Sequence, residues 1–179
     1  MSHKEVLMYK KDKRPPVVSI ISKKNSGKTT LLVKLIPELK QRGYTVGTLK
    51  HDVHGFDIDH EGKDTWRHKQ AGSDVVVISC PWKISLIKDV EQELSIDELV
   101  EHFFMDTDIV ITEGYKRADK PKIELFRKAA HASPVHTTQK GSTLIAMISD
   151  INVEIDVPLF HIDDISGLAD FIETTFLEK

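Results

Sequence analysis

The stretch Val17-Val18-Ser19-Ile20-Ile21-Ser22-Lys23-Lys24-Asn25-Ser26-Gly27-Lys28-Thr29-Thr30-Leu31-Leu32 carries different patterns in succession. It opens with an almost continuous apolar run rich in β-branched residues, as in a strand covered on both faces. Small polar residues then interrupt the run. From Lys28 the spacing changes, and Leu31, Leu32, Leu35, Ile36 and Leu39 form one apolar stripe of helical period. A strand, a polar turn and a helix in that order open a βαβ unit of a parallel sheet.

The alternation continues along the chain. Residues 44–50 read as a second strand, 51–62 as a long polar loop, 63–71 as a short helix and 74–79 as a third strand. A short strand is expected at 84–87, and Ser95-Ile96-Asp97-Glu98 is a capping box flanked by Leu94 and Leu99, opening a helix to about 105. Further strands fall at 108–112, 122–126, 144–148 and 158–160, and a last helix follows Asp164. Pro37 predicts a kink in the first helix, which Gly43 ends. The expected fold class is α/β: three layers, a mainly parallel central sheet flanked by helices. Residues 15–179 make a single domain, preceded over 1–14 by a flexible arm carrying Lys4, Lys10, Lys11, Lys13 and Arg14.

Composition narrows the function. A net charge of −3 argues against a broad nucleic-acid face, which needs a cationic surplus. The single cysteine, Cys80, excludes an internal disulfide and suits a reducing cytoplasm. No apolar run approaches the roughly 18 residues of a membrane helix, and the first residues lack the apolar block of a signal peptide.

The turn after the first strand has the order of a P-loop, in which backbone N–H groups curl around phosphate oxygens. Asn25, Ser26, Gly27, Lys28, Thr29 and Thr30 are its candidate phosphate-binding residues. Lys28 would place an ammonium on the β- and γ-phosphates, and Thr29 a hydroxyl on Mg²⁺. The usual opening glycine is replaced by Ser22, so a steric cost in left-handed geometry is expected there. Lys23 reads as a solvated lysine or as one reaching a neighbouring subunit's phosphates.

Ligands of open α/β sheets sit at the carboxyl edge of the strands. Glu113 ends its strand at that edge and is assigned to the metal, whereas Asp108 begins it and is not. Lys50 and His51 end the second strand at the same edge. Of the loop acids Asp57 and Asp59, Asp59 is the candidate to position an attacking water; acidity for solubility is the alternative. His51, His54, His60 and His68 match no compact zinc spacing. Asp150 closes the strand at 144–148 and either accepts the N1 and N2 protons of guanine or begins a turn.

Taken in order, Ser26-Gly27-Lys28-Thr29-Thr30-Leu31-Leu32, Leu35-Ile36-Pro37, Leu49-Lys50-His51, Asp57-Ile58-Asp59, Gly62-Lys63-Asp64-Thr65, Ala71-Gly72, Ile111-Thr112-Glu113-Gly114-Tyr115-Lys116 and Ser166-Gly167-Leu168-Ala169-Asp170 resemble the MobB family of molybdopterin-guanine dinucleotide biosynthesis adapters. The resemblance implies a GTP-binding homodimer with weak, Mg²⁺-dependent GTPase activity. It implies a place beside the molybdopterin guanylyltransferase, which joins GMP to molybdopterin. It makes Lys116 a candidate for an anionic pterin phosphate or nucleotide, and Pro37 a regular feature of the first helix. Slow hydrolysis would follow from the lack of an obvious arginine finger or well-placed glutamine. Two other readings stay open. One is a nickel metallochaperone GTPase, hinted at by Cys80-Pro81-Trp82; the other is an adapter whose nucleotide is purely structural.

Overall fold

β1 (Val17–Ile21) is buried along its whole length, as its apolar run requires. The computed structural model describes residues 14–52, 54–135 and 142–177, so the expected basic arm, Arg14 apart, lies outside the described residues. After β1 come α1 (Lys28–Gln41), β2 (Val46–Lys50), α2 (Asp64–Gln70), β3 (Val75–Cys80) and β4 (Lys83–Lys88). Then follow α3 (Ile96–Phe103), β5 (Ile109–Glu113), β6 (Lys122–Phe126), β7 (Leu144–Ser149), β8 (Leu159–His161) and α4 (Ile165–Ile172). A π-helical turn, Glu173–Leu177, prolongs α4. Where the sequence reads one domain, the chain groups into two compact units, of which Asp52–Glu98 is the smaller.

In the larger unit six strands pair in the order β2-β5-β1-β6-β7-β8, and every pairing is parallel. All carboxyl ends therefore lie along one edge. The chain leaves β1 toward β2 on one side and later fills β6, β7 and β8 on the other. The end of β1 is thus the point where strand order reverses, the place such sheets offer to ligands.

α1 and α4 cover one face. Leu31, Leu32, Leu35 and Leu39 of α1 and Leu168, Ala169 and Ile172 of α4 join Val18, Ile20, Ile109, Ile111, Ile123, Leu125, Ala146 and Ile148 in one core. The helix continues through Pro37. Its end is a Schellman turn, with Gly43 at φ 94°. There Gly43 N–H donates to Lys40 O at 3.1 Å and Tyr44 N–H to Leu39 O at 3.1 Å. Arg42 then ties the two helices, donating to Asp170 at 2.6 Å and Glu173 at 2.9 Å. These carboxylates hold the guanidinium's pKa above its ordinary value, and the hydroxyl of Tyr44 together with Arg42 lowers that of Glu173.

Residues alternate across a strand, so Ser19, Thr112, Lys122 and Glu124 occupy the opposite face. All four are buried. Ser19 and Thr112 satisfy each other at 2.9 Å. Gly47 lies on this face too, under the ring of Phe104, which follows α3; a Cβ there would stand 2.4 Å from the ring. Helices thus flank the sheet on both sides. At the amino edge Asp108 accepts from Thr45 N–H at 2.7 Å, the strand-start role read for it.

The smaller unit holds α2 and the hairpin β3–β4. Both strands were legible as strands, but they pair only with each other, antiparallel, from Val75↔Lys88 to Cys80↔Lys83. Lys69 of α2 donates to Ser73 O at 2.8 Å and to the carboxylate of Asp89. The capping box forms as read. Ser95 N–H donates to Glu98 Oε2 at 2.8 Å, and Glu98 N–H to Ser95 Oγ at 3.2 Å. α3 ends at Phe103 rather than 105.

Candidate functional site

The loop between β1 and α1 is shaped by two left-handed residues, Asn25 at φ 59° and Gly27 at φ 90°. Ser22 is not among the left-handed residues, so the expected cost falls away. Its hydroxyl instead donates to Lys23 O at 2.7 Å and accepts from Lys28 Nζ at 2.8 Å. A glycine there would offer no such acceptor. Ser26 Oγ closes the turn on Lys23 O at 3.0 Å. Gly27 caps α1 with no side-chain hydrogen bond, so the amides of the first turn are left for an exogenous anion. Thr29 and Thr30 are exposed on that turn.

The ammonium of Lys28 is half-buried, and its pKa is lowered. Burial is the main cause; Glu113 opposes it, and the charges of Lys116 and Lys50 add to it. Among the described residues Lys28 forms no ion pair with a carboxylate. A desolvated cation beside two others and a set of free amides favours an anion.

The ends of β2 and β5 meet beside this loop. His51 N–H donates to Glu113 O at 3.1 Å, and Gly114 N–H to Ile20 O at 3.2 Å. Gly114 at φ 101° and Tyr115 at φ 52° then turn the chain. Tyr115 stacks on His51 with ring centroids 4.6 Å apart. Glu113, Lys50 and His51 therefore stand at the carboxyl edge read for them, and Lys116 is near enough for its charge to act on Lys28.

A second wall was not read from the sequence. The turn after β6 is bound to the loop, His131 Nε2 donating to Lys24 O at 2.6 Å and Lys23 Nζ to Ser133 O at 2.7 Å. Lys23 is thus engaged within its own chain. The buried Glu124 carboxylate accepts from Val135 N–H. Asp150 accepts from Lys128 N–H at 2.9 Å and from Arg127 Nε at 3.5 Å, so both its oxygens are engaged. Lys24, Asn25, Arg127, Ala129, Ala130 and His131 line an open pocket of about 440 Å³. Phe126 and Ser149 end neighbouring strands in register, which puts Arg127 beside Asp150, and no local pattern in the sequence announces that pairing.

Asp59 and Asp57 belong to the smaller unit, as do His54, His60 and His68. Asp59 Oδ1 accepts from His60 N–H at 2.8 Å, while Oδ2 is buried without a partner. Cys80 is exposed at the hairpin end. Among the described residues no three His, Cys, Asp or Glu side chains cluster as a metal centre. A hydroxyl from Thr29 and a carboxylate from Glu113 are hard oxygen donors that suit Mg²⁺ shared with phosphate. Among the same residues no helix is long and apolar enough to cross a membrane.

Comparison with known proteins agrees with this geometry. The family model described as MobB, "Molybdopterin guanine dinucleotide synthesis protein B", matches residues 17–150. A Haemophilus influenzae protein named "Molybdopterin-guanine dinucleotide biosynthesis adapter protein" is 38% identical over 159 residues, spanning 88% of each chain. An Escherichia coli protein of the same name is 36% identical over 162 residues, 88% of this chain and 91% of that one. The crystal structure of Bacillus subtilis MobB superposes with a TM-score of 0.72 at 28% identity, covering 92% of this chain and 99% of that one.

Proposed function

The chain belongs to the MobB family, and from that premise we propose that this adapter of molybdopterin guanine dinucleotide biosynthesis binds GTP with Mg²⁺ at the end of β1. The observation that carries the reading is Lys28: a desolvated ammonium with no carboxylate partner among the described residues, beside the uncapped start of α1. Amides of residues 25–30 would hold the phosphates, and Lys28 would hold the β- and γ-groups. Thr29 and Glu113 would hold Mg²⁺, which when bound neutralises phosphate charge. His51, stacked on Tyr115, borders the site, and Lys116 offers a cation to the nucleotide or to the phosphate of molybdopterin.

Turnover is slow in this reading, because the gathered groups bind charge rather than activate water. Within the smaller unit, the orphaned oxygen of Asp59 is a place for a water. The partner is the molybdopterin guanylyltransferase, and the setting is the cytoplasm. The protein acts as a homodimer, for which the exposed apolar side chains of the hairpin supply a surface.

A nucleotide competition in Mg²⁺ tests the site. Lys28→Ala is expected to weaken GTP binding by about a hundredfold or more, as removal of one partner of a desolvated charge pair does. Wild-type affinity in that variant would refute the assignment. GTP should outcompete ATP, and Asp150→Asn should erase the preference; equal affinity in the wild type removes the guanine role of Asp150.

A further inference from the structure

We infer that Arg127 is an additional phosphate-binding residue, parked on Asp150 in the free protein and transferred to the bound phosphates. The inference rests on the proposed nucleotide site and adds a residue that the phosphate-loop pattern does not contain. Arg127 Nη1 lies 3.7 Å from where a Cβ on Gly27 would stand, so the guanidinium hangs over the left-handed residue that shapes the cradle. Its Nε meets Asp150 at 3.5 Å, with the two side chains 41% and 23% exposed. A half-exposed, single-contact ion pair contributes little. Nη1 and Nη2 make no hydrogen bond among the described residues, which leaves a forked donor of the kind that meets the paired oxygens of a phosphate.

The backbone around Arg127 is held independently of that pair. Lys128 N–H is fixed by Asp150 Oδ1, and His131 is fixed to Lys24 O. The guanidinium can therefore leave Asp150 Oδ2 by side-chain rotation, without moving the turn. The same exchange frees Oδ2 of Asp150, just past the end of β7, while Oδ1 stays on Lys128 N–H. Triphosphate binding and exposure of this carboxylate are thus coupled through one side chain.

Inorganic tripolyphosphate, which has no base, separates this role from guanine recognition. Its affinity is measured by calorimetry on the full chain at fixed ionic strength, with thermal unfolding of each variant. Arg127→Gln is expected to weaken binding about tenfold, the scale of one charge-assisted hydrogen bond, and Arg127→Lys to restore part of it. Asp150→Asn is expected to tighten binding, since it removes the competing charge while its amide oxygen still accepts from Lys128. If the pair is only a strut for the turn, both Arg127→Gln and Asp150→Asn weaken binding, and the inference is overturned; wild-type affinity in Arg127→Gln overturns it as well. Should Arg127→Gln fail to fold, Asp150→Asn decides alone, tighter binding supporting the exchange and weaker binding refuting it. Lys28→Ala with wild-type tripolyphosphate affinity would instead remove the underlying site, a distinguishable result.

Discussion

Val17-Val18-Ser19-Ile20-Ile21 and Val75-Val76-Val77-Ile78-Ser79 are nearly the same string, yet they meet opposite fates. β1 is buried at every residue, with parallel neighbours on both sides and α1 above it. In β3 only Val76 is buried; Val77 is 54% and Ile78 57% exposed, and across the hairpin Ile84 reaches 73%. β-Branched composition specifies an extended backbone. It does not specify an address, which depends on how many partners the strand finds. A buried strand is a foundation for a site, whereas an exposed apolar hairpin is a surface awaiting contact.

The largest expected effect tests that contrast directly. Leu35, fully buried under the sheet, should cost about 2–5 kcal/mol when cut to alanine, through lost transfer energy and an unfilled cavity. Ile84→Lys should leave the intrinsic stability of the monomer within about 0.5 kcal/mol, as surface substitutions do, while shifting the proposed homodimer toward monomer in sedimentation. Chemical denaturation and analytical ultracentrifugation read the two. Comparable destabilisation of the monomer by both variants would break the comparison; an unshifted sedimentation coefficient would take the hairpin out of the proposed dimer.

The difference in burial also tunes charge. Burial lowers the pKa of Lys28 in the free protein, and a bound anion raises it, so binding takes up a proton between the two values. Affinity for tripolyphosphate is then full below the depressed value and falls as pH rises through it, by up to about tenfold per pH unit. Folding of the free chain has the opposite sign: with the folded pKa below the unfolded one, stability rises with pH between them. Lys28→Arg should flatten the binding profile, and Lys83→Ala on the exposed hairpin should leave it unchanged. A profile that is already flat in the wild type would show that Lys28 does not titrate at the anion.

What could be read from the chain follows from the range of the interactions involved. β6 was legible to its ends, Lys122–Phe126, because a short run alternating Ile123 and Leu125 with Lys122 and Glu124 after Pro121 is a local signal. The phosphate loop and the Ser95 capping box are local as well, and both formed. The pairing of β3 with β4 was less legible, since βαβ punctuation around them suggests a place in the parallel sheet. Arg127 and Asp150 were illegible as a pair: they stand 23 positions apart in sequence and meet only through the register Phe126↔Ser149. Lys122 was missed for a similar reason. Its buried ammonium serves carbonyls of the crossing segment, Ala118 and Lys120, which no periodicity announces.

The smallest expected effect lies where the chain passes from the hairpin unit to the sheet unit, within α3. Ser95 and Glu98 satisfy each other's backbone donors, and Ser95→Ala removes both bonds of the hydroxyl, the one from Glu98 N–H and the one to Glu98 Oε2. A loss of about 1 kcal/mol is expected, with Ser95→Thr restoring most of it. The deeper content is in hydrogen exchange. If the cap acts only on the helix start, protection at Glu98 falls while Val100, fully buried, keeps its protection. Equal loss at both positions would mean that the cap and the buried side of α3 open together.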